Sequence, residues 1–198
     1  MKGRKAEAGI GTLILFIAMI LVAAIAAGVL IQTSSSLQSK ALYTGSRAKT
    51  EVSSQVAVIY LWGEDATISA RTVNTTHMKV KLTAGSDSVK LGDSMVQVDT
   101  QNSRSNLVYN STSGFCDDNS MIWAHKNAMY GAKSLVESGE DSDYLERGDV
   151  MQLCFALPES IGEGEMLKVS FIPKVGHTTY VDTKTPDVML TKRIQLYP

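Results

Sequence analysis

From Ala8 to Ile31 the chain runs 24 residues without a charge, and only Thr12 carries a polar side chain. The flanking charges are Glu7 and Lys40. As an α-helix rising 1.5 Å per residue, this stretch is roughly 36 Å long, enough to cross a bilayer with some tilt. No proline interrupts it, and Gly11 and Gly28 sit near its ends. Beyond it, Gln32 to Ser39 is polar but holds neither Gly nor Pro. Leu37, Ala41, Leu42, Ala48, Val52, Val56 and Ile59 then recur at three- to four-residue steps. The pattern predicts one helix from about Ala8 into the low fifties, weakest at Thr33-Ser34-Ser35-Ser36, where a flexible linker is the alternative. Gly45 costs this helix about 1 kcal/mol relative to Ala.

At Val56 the pattern changes. Val56 to Trp62 is β-branched and aromatic, and Gly63-Glu64-Asp65 stops it. Short runs then recur between turn signals: Met78–Leu82, Val89–Leu91, Met95–Val98, Leu107–Tyr109, Met121–Ala124, Val150–Leu157, Leu167–Ile172, Thr179–Val181 and Val188–Leu190. Asn127 to Val136 breaks the series as a short helix or a lid-like loop. Many short strands with alternating apolar and polar faces predict a β-sandwich around one core.

Charge refines the first segment. Lys2, Arg4 and Lys5 precede the apolar run, which keeps the N-terminus on the cytoplasmic side of a membrane. A secretory signal has a shorter apolar core followed by a small-residue cleavage site. Here the small residues Ala6 and Ala8 come before the run. Within it, Ala23 with Ala27 and Ala24 with Gly28 are four-apart small pairs, the spacing that lets helices approach closely. A lone membrane anchor is the plain alternative.

These residues resemble a family. Gly9-Ile10-Gly11-Thr12-Leu13-Ile14, Phe16-Ile17-Ala18-Met19 and Leu21 to Ile31 look like the N-terminal core of the archaeal flagellins, or archaellins; Ile194 to Pro198 looks like the family's end. The resemblance implies a type IV prepilin-like leader, cut by a membrane prepilin-type peptidase. Arg4 and Lys5 supply the basic pair, Ala6 the residue before the cut, Glu7 the mature N-terminus and Gly9 the third mature position. Ala6 departs from the commoner Gly. The implied division is 1–6 leader, 7–55 polymerisation helix and 56–198 an extracellular immunoglobulin-like sandwich. Ile10, Leu13, Phe16, Ile17, Ala23, Ala24, Ala27 and Gly28 are the residues assigned to the polymerisation helix. The implied partners are other copies or other archaellins, the membrane before assembly, the peptidase, and a motor or assembly ATPase with its platform protein. The implied function is a swimming filament. An adhesion pilin, or a single-pass surface enzyme or binding domain, are the other readings.

The chain has 198 residues with 19 basic and 20 acidic, a net charge of −1. Losing Lys2, Arg4 and Lys5 leaves 16 basic against 20 acidic, a net of −4. An acidic surface without Lys/Arg runs among aromatics argues against nucleic-acid binding. Cys116 and Cys154, 38 residues apart, form a disulfide in a secreted domain or remain two separate buried thiols. Asn74-Thr75-Thr76 and Asn110-Ser111-Thr112 are glycosylation sequons, expected between strands where an acceptor is exposed. Asp117, Asp118, Asp141 and Asp143 offer oxygens suited to a structural calcium, though solvated loops explain them as well. No other cofactor is expected. His77, His125 and His177 show no ligand spacing, and no nucleophile motif or defensible acid–base pair is present, so the chain reads as a non-enzyme.

Overall fold

A computed structural model describes residues 3–64, 71–112, 114–117, 119–136 and 143–198. The chain divides into two units, Met1–Ala48 and Lys49–Pro198. The first is helical. Helix α1 (Gly3–Ser53) has 51 residues and runs unbroken through the serine-rich stretch, so the linker alternative fails. Its hydroxyls bond back to the preceding turn: Thr12 Oγ1 donates to the Gly9 carbonyl at 2.9 Å, Thr33 Oγ1 to Leu30 at 3.0 Å and Ser39 Oγ to Ser35 at 3.0 Å. A hydroxyl satisfied this way does not compete with the helix's own ladder. From Gly9 to Lys49 every side chain is exposed.

The second unit is built on β1 (Val56–Glu64), β2 (Val73–Leu82), β3 (Val89–Lys90), β4 (Met95–Thr100), β5 (Arg104–Asn110), β6 (Met129–Val136), β7 (Tyr144–Leu145), β8 (Val150–Ile161), β9 (Met166–Ile172), β10 (Thr179–Lys184) and β11 (Ile194–Tyr197). Nine of these form one sheet in the order β10-β9-β4-β5-β6-β8-β2-β1-β11, and β3 pairs with β7. Every pair is antiparallel except β5 with β6. The sandwich is one sheet curled on itself. Register shifts bend β1, β2 and β6, as bulges do. Thr179 Oγ1 reaches the Val56 carbonyl and Thr183 Oγ1 the Leu196 carbonyl, each at 2.5 Å, so β10 meets the far edge. One core fills the inside, with Leu61, Met78, Leu107, Leu153, Phe155 and Phe171 among its largest members.

Three expectations are corrected. Met121–Ala124 is not a strand but part of a short helix, α2 (Asn119–Ala124). Asn127–Val136 is neither helix nor lid: it contains β6. A parallel β5–β6 pair needs a crossover connection, and α2 lies in it. Val188–Leu190 is not a strand; only Met189 is buried, and its N–H donates to Glu163 Oε1 at 2.9 Å.

The segment that follows α1 is held within the second unit. His177 N–H donates to the Ser54 carbonyl at 2.9 Å, Thr83 N–H to the Gln55 carbonyl at 3.0 Å, and Gln55 N–H to Ser86 Oγ at 3.0 Å. Gly176 lets the chains approach: its φ is +109°, and a Cβ there would sit 2.3 Å from the Ser54 oxygen.

Tyr130 ties the 3-10 turn Leu91–Asp93 to β6. Its hydroxyl lies 2.6 Å from Ser94 Oγ and donates to the Leu91 carbonyl at 3.1 Å. Burial pushes its pKa up to about 12, partly offset by the Ser94 hydroxyl. An unfolded tyrosine ionises near pH 10. The native state therefore keeps a proton that the unfolded chain loses, and stability falls as pH rises from 10 towards 12. Unfolding of the detergent-solubilised chain, followed by Trp62 and Trp123 fluorescence at pH 8, 10 and 11.5, is expected to show this loss. Tyr130→Phe should flatten it while costing about 1 kcal/mol at pH 8 for the missing hydrogen bonds.

Candidate functional site

The first candidate is α1 itself. Ile10, Leu13, Phe16 and Ile17 are exposed, as are Val22, Ile25 and Val29 on other sides of the helix. It is long and apolar enough to cross a membrane. At 3.6 residues per turn, Ala23/Ala27 and Ala24/Gly28 form two adjacent small ledges among these bulky residues. Fully apolar helices belong in lipid or inside an assembly, not in water. Arg4, Lys5, Ala6 and Glu7 lie within the helical backbone of α1.

A second layer covers the outside of β8. Leu153, Phe155 and Leu157 point into the main core, whereas Cys154 and Ala156 pack outward against Phe115, Cys116 and Ile122. Cys116 and Cys154 are disulfide-bonded, with Cα atoms 5.4 Å apart and sulfurs 2.15 Å apart. Phe115 sits directly on Gly131, where a Cβ would come within 2.3 Å of the ring. Sequence reasoning missed this contact. A glycine within a strand marks close approach of another group, but the sequence around Gly131 does not read as a strand.

The sequons separate. Asn110 ends β5; its Oδ1 accepts the Thr112 N–H at 3.0 Å and the Thr112 hydroxyl at 2.7 Å, with Ser111 and Thr112 exposed. Asn74 does not lie between strands. It sits in β2, its Oδ1 is buried, and Thr76 is fully buried. That position hides the motif which an acceptor must present.

The acidic candidates do not converge among the described residues. Asp117 pairs with Lys133, and Asp143 Oδ1 accepts the Tyr109 hydroxyl at 2.9 Å. Asp118 and Asp141 lie outside the described residues. No group of three His, Cys, Asp or Glu side chains suited to a metal occurs among those described. His77 is a packed structural residue: its ring stacks on Trp62 at 5.2 Å, Nε2 lies 3.0 Å from Glu64 Oε2, and Nδ1 lies 3.1 Å from Gln152 Nε2.

Comparisons with known proteins find relatives for a chain that carries this exposed apolar helix and this disulfide-bonded β unit. The archaeal-type flagellin family matches residues 6–183. Flagellin B2 of Halobacterium salinarum is 42% identical, with 95% of this chain and 92% of that protein covered. Flagellin A1 of Haloferax volcanii is 39% identical over the same shares, and flagellin B4 of Pyrococcus abyssi 34% identical over 92% and 94%. In fold, the chain resembles the archaeal flagellum of Methanospirillum hungatei, with a TM-score of 0.69 and 14% identity over 95% of this chain and 98% of that one. It also resembles flagellin FlaB1 of Methanocaldococcus jannaschii, with a TM-score of 0.63 and 15% identity over 72% and 96%. The chain belongs to the archaeal-type flagellins, and it is a structural, non-enzymatic subunit of the archaeal flagellar filament.

Proposed function

We propose that this subunit polymerises through α1 after moving from lipid to the fibre axis, and that removal of residues 1–6 permits the move. Exposure of large apolar side chains on every side of α1 carries the reading. Each would cost about 1.5–3 kcal/mol in water, so a free soluble monomer is not a resting state. Lipid and a bundle of like helices are both apolar, and close packing on the small ledges favours the bundle. Lys2, Arg4 and Lys5 would be expensive to carry into that bundle unpaired. A prepilin-type peptidase cutting between Ala6 and Glu7 removes them and leaves Glu7 at the helix N-terminus, where the dipole favours a negative charge. Withdrawal from lipid needs external work, which a cytoplasmic motor ATPase and its platform protein would supply. The product is a swimming filament outside the cell.

The outer unit is suited to one glycan. Asn110 is the acceptor the geometry favours, and Asn74 is unsuited to modification in the folded state.

Mass spectrometry of subunits sheared from cells tests both points. The expected chain begins at Glu7, and the peptide containing Asn110 carries added mass while that containing Asn74 does not. Filament subunits retaining Lys2 to Lys5, or protein found only in membrane fractions with no filament, would contradict the proposal. Loss of swimming with surface attachment intact on deletion separates this role from that of an adhesion pilin.

A further inference from the structure

The outer face of the sheet is graded along its strands. Register places Ile172, Met95, Val108 and Met129 side by side across β9, β4, β5 and β6. Two residues along the same face come Ser170, Gln97 and Asn106. Two further along, Asp182, Lys168, Asp99 and Arg104 alternate in sign across β10, β9, β4 and β5, with Arg104 Nε 2.5 Å from Asp99 Oδ1. The charged row is an ordinary solvated surface. The apolar row is not: Val108 is 55% and Met129 37% exposed, while Met95 and Ile172 are half-buried beside them. Single exposed apolar residues need no explanation, but neighbours in register across four strands form a patch.

A second patch lies at the other end of the same strands. Met166 is six residues from Ile172 along β9, about 20 Å away at the rise of a strand. Val188 and Leu190, both exposed, lie on the segment that follows β10. Their segment is fixed against the turn before β9 by Gly164 N–H to the Pro186 carbonyl at 3.3 Å and Thr185 N–H to the Glu165 carbonyl at 2.9 Å.

We propose that the Ile172–Met95–Val108–Met129 row receives the Met166–Val188–Leu190 tip of a second copy, joining outer domains head to tail along the filament. This rests on the filament reading and adds where its subunits touch outside the helical core. A fibre of identically oriented subunits uses two unlike, complementary surfaces, because a patch that pairs with itself closes a dimer. Two unlike apolar patches at opposite ends of one domain meet that requirement. Their size selects the occupant. Three or four side chains fall well short of the about 800 Å² per partner of a stand-alone complex, so a free foreign protein would bind weakly. A copy already held by its own α1 is presented at an effective concentration near the millimolar range, where a small contact suffices. The charges at each end also permit like copies to meet. Asp93 pairs with Lys174 at 2.9 Å at the end of the sheet that carries the row, and Asp187 with Lys184 at 3.6 Å near the tip. Each pair is neutral in sum, which limits repulsion between acidic subunits.

Full-length chains carrying Val108→Cys and Leu190→Cys test the contact in assembled filaments. Mild oxidation should convert them to a ladder of linked subunits on a non-reducing gel, while either substitution alone gives no ladder. The two native cysteines are already bonded to each other and do not interfere. Intact filaments of the double variant without a ladder overturn the proposal. Should the double variant form no filaments, charge exchange decides. Val108→Glu should lower filament yield at least tenfold, and adding Leu190→Lys should recover it. An undiminished yield with Val108→Glu, or no recovery with the pair, overturns the contact. A natural chain that forms no filament at all would instead sink the filament reading itself.

Discussion

Ala24→Leu is expected to leave the chain in the membrane at its natural abundance and to abolish its filament. The expectation follows from two environments that differ in packing and hardly at all in polarity. In lipid, a larger aliphatic side chain is welcome. In a bundle of identical helices, Ala24 and Gly28 set how closely a neighbour approaches. Overfilling a close-packed contact typically costs 1–3 kcal/mol. Each 1.4 kcal/mol lost per added subunit raises the concentration needed for growth about tenfold. Over that range the filament should fall below detection by electron microscopy of sheared cells, with subunits accumulating in membrane fractions. Ala24→Ser, which keeps the residue small, should retain filaments. Normal filaments from Ala24→Leu would show that the small-residue faces do not pack in the fibre, and the account of how the helix leaves lipid would lose its driving force.

The parts legible in the sequence were those governed by local pattern. The helix could be read to within a few residues because its apolar run and the later three- to four-residue spacing are properties of neighbours along the chain. Its serine stretch was ambiguous only until the back-bonded hydroxyls were visible. The run Val150–Leu157 was legible as a strand, and its near-continuous apolar character reflects cover on both faces. What could not be read was set by distant partners. Met121-Ile122-Trp123-Ala124 has the composition of a strand, yet Ile122 alone is buried, because the segment belongs to a flap fixed by a cysteine 38 residues from its mate. Gly131, Lys133 and Ser134 make β6 look like a loop, and the reason for Gly131 is a phenylalanine sixteen residues earlier. Asn74 looked like an exposed sequon because nothing local shows that β8 will pair beside it. The candidate surface on β9, β4, β5 and β6 was likewise hidden, since each strand contributes one residue and only the register aligns them.

That flap gives the largest expected change in stability from a conservative substitution. Replacing both Cys116 and Cys154 by alanine removes a link between positions 38 apart. In the chain-entropy model the link limits the unfolded ensemble by about 4 kcal/mol. For a unit spanning Lys49–Pro198, that corresponds to a fall of roughly 8–16 °C in the unfolding midpoint. The damage should be uneven. The main core inside the sheet does not include either cysteine, so Leu153 and Phe155 keep their neighbours. Phe115, Ile122 and Ala156 lose the staple that holds their layer over β8. Trp123, in the same short helix, should therefore report the change first. Calorimetry of sheared filaments, with and without reductant, measures the midpoint, and hydrogen exchange locates the loss. Protection should fall from Phe115 to Ala124 well before it falls in β2 or β9. Equal midpoints for the natural and double-alanine chains would mean that Phe115 against Gly131 holds the flap alone, with the disulfide adding little.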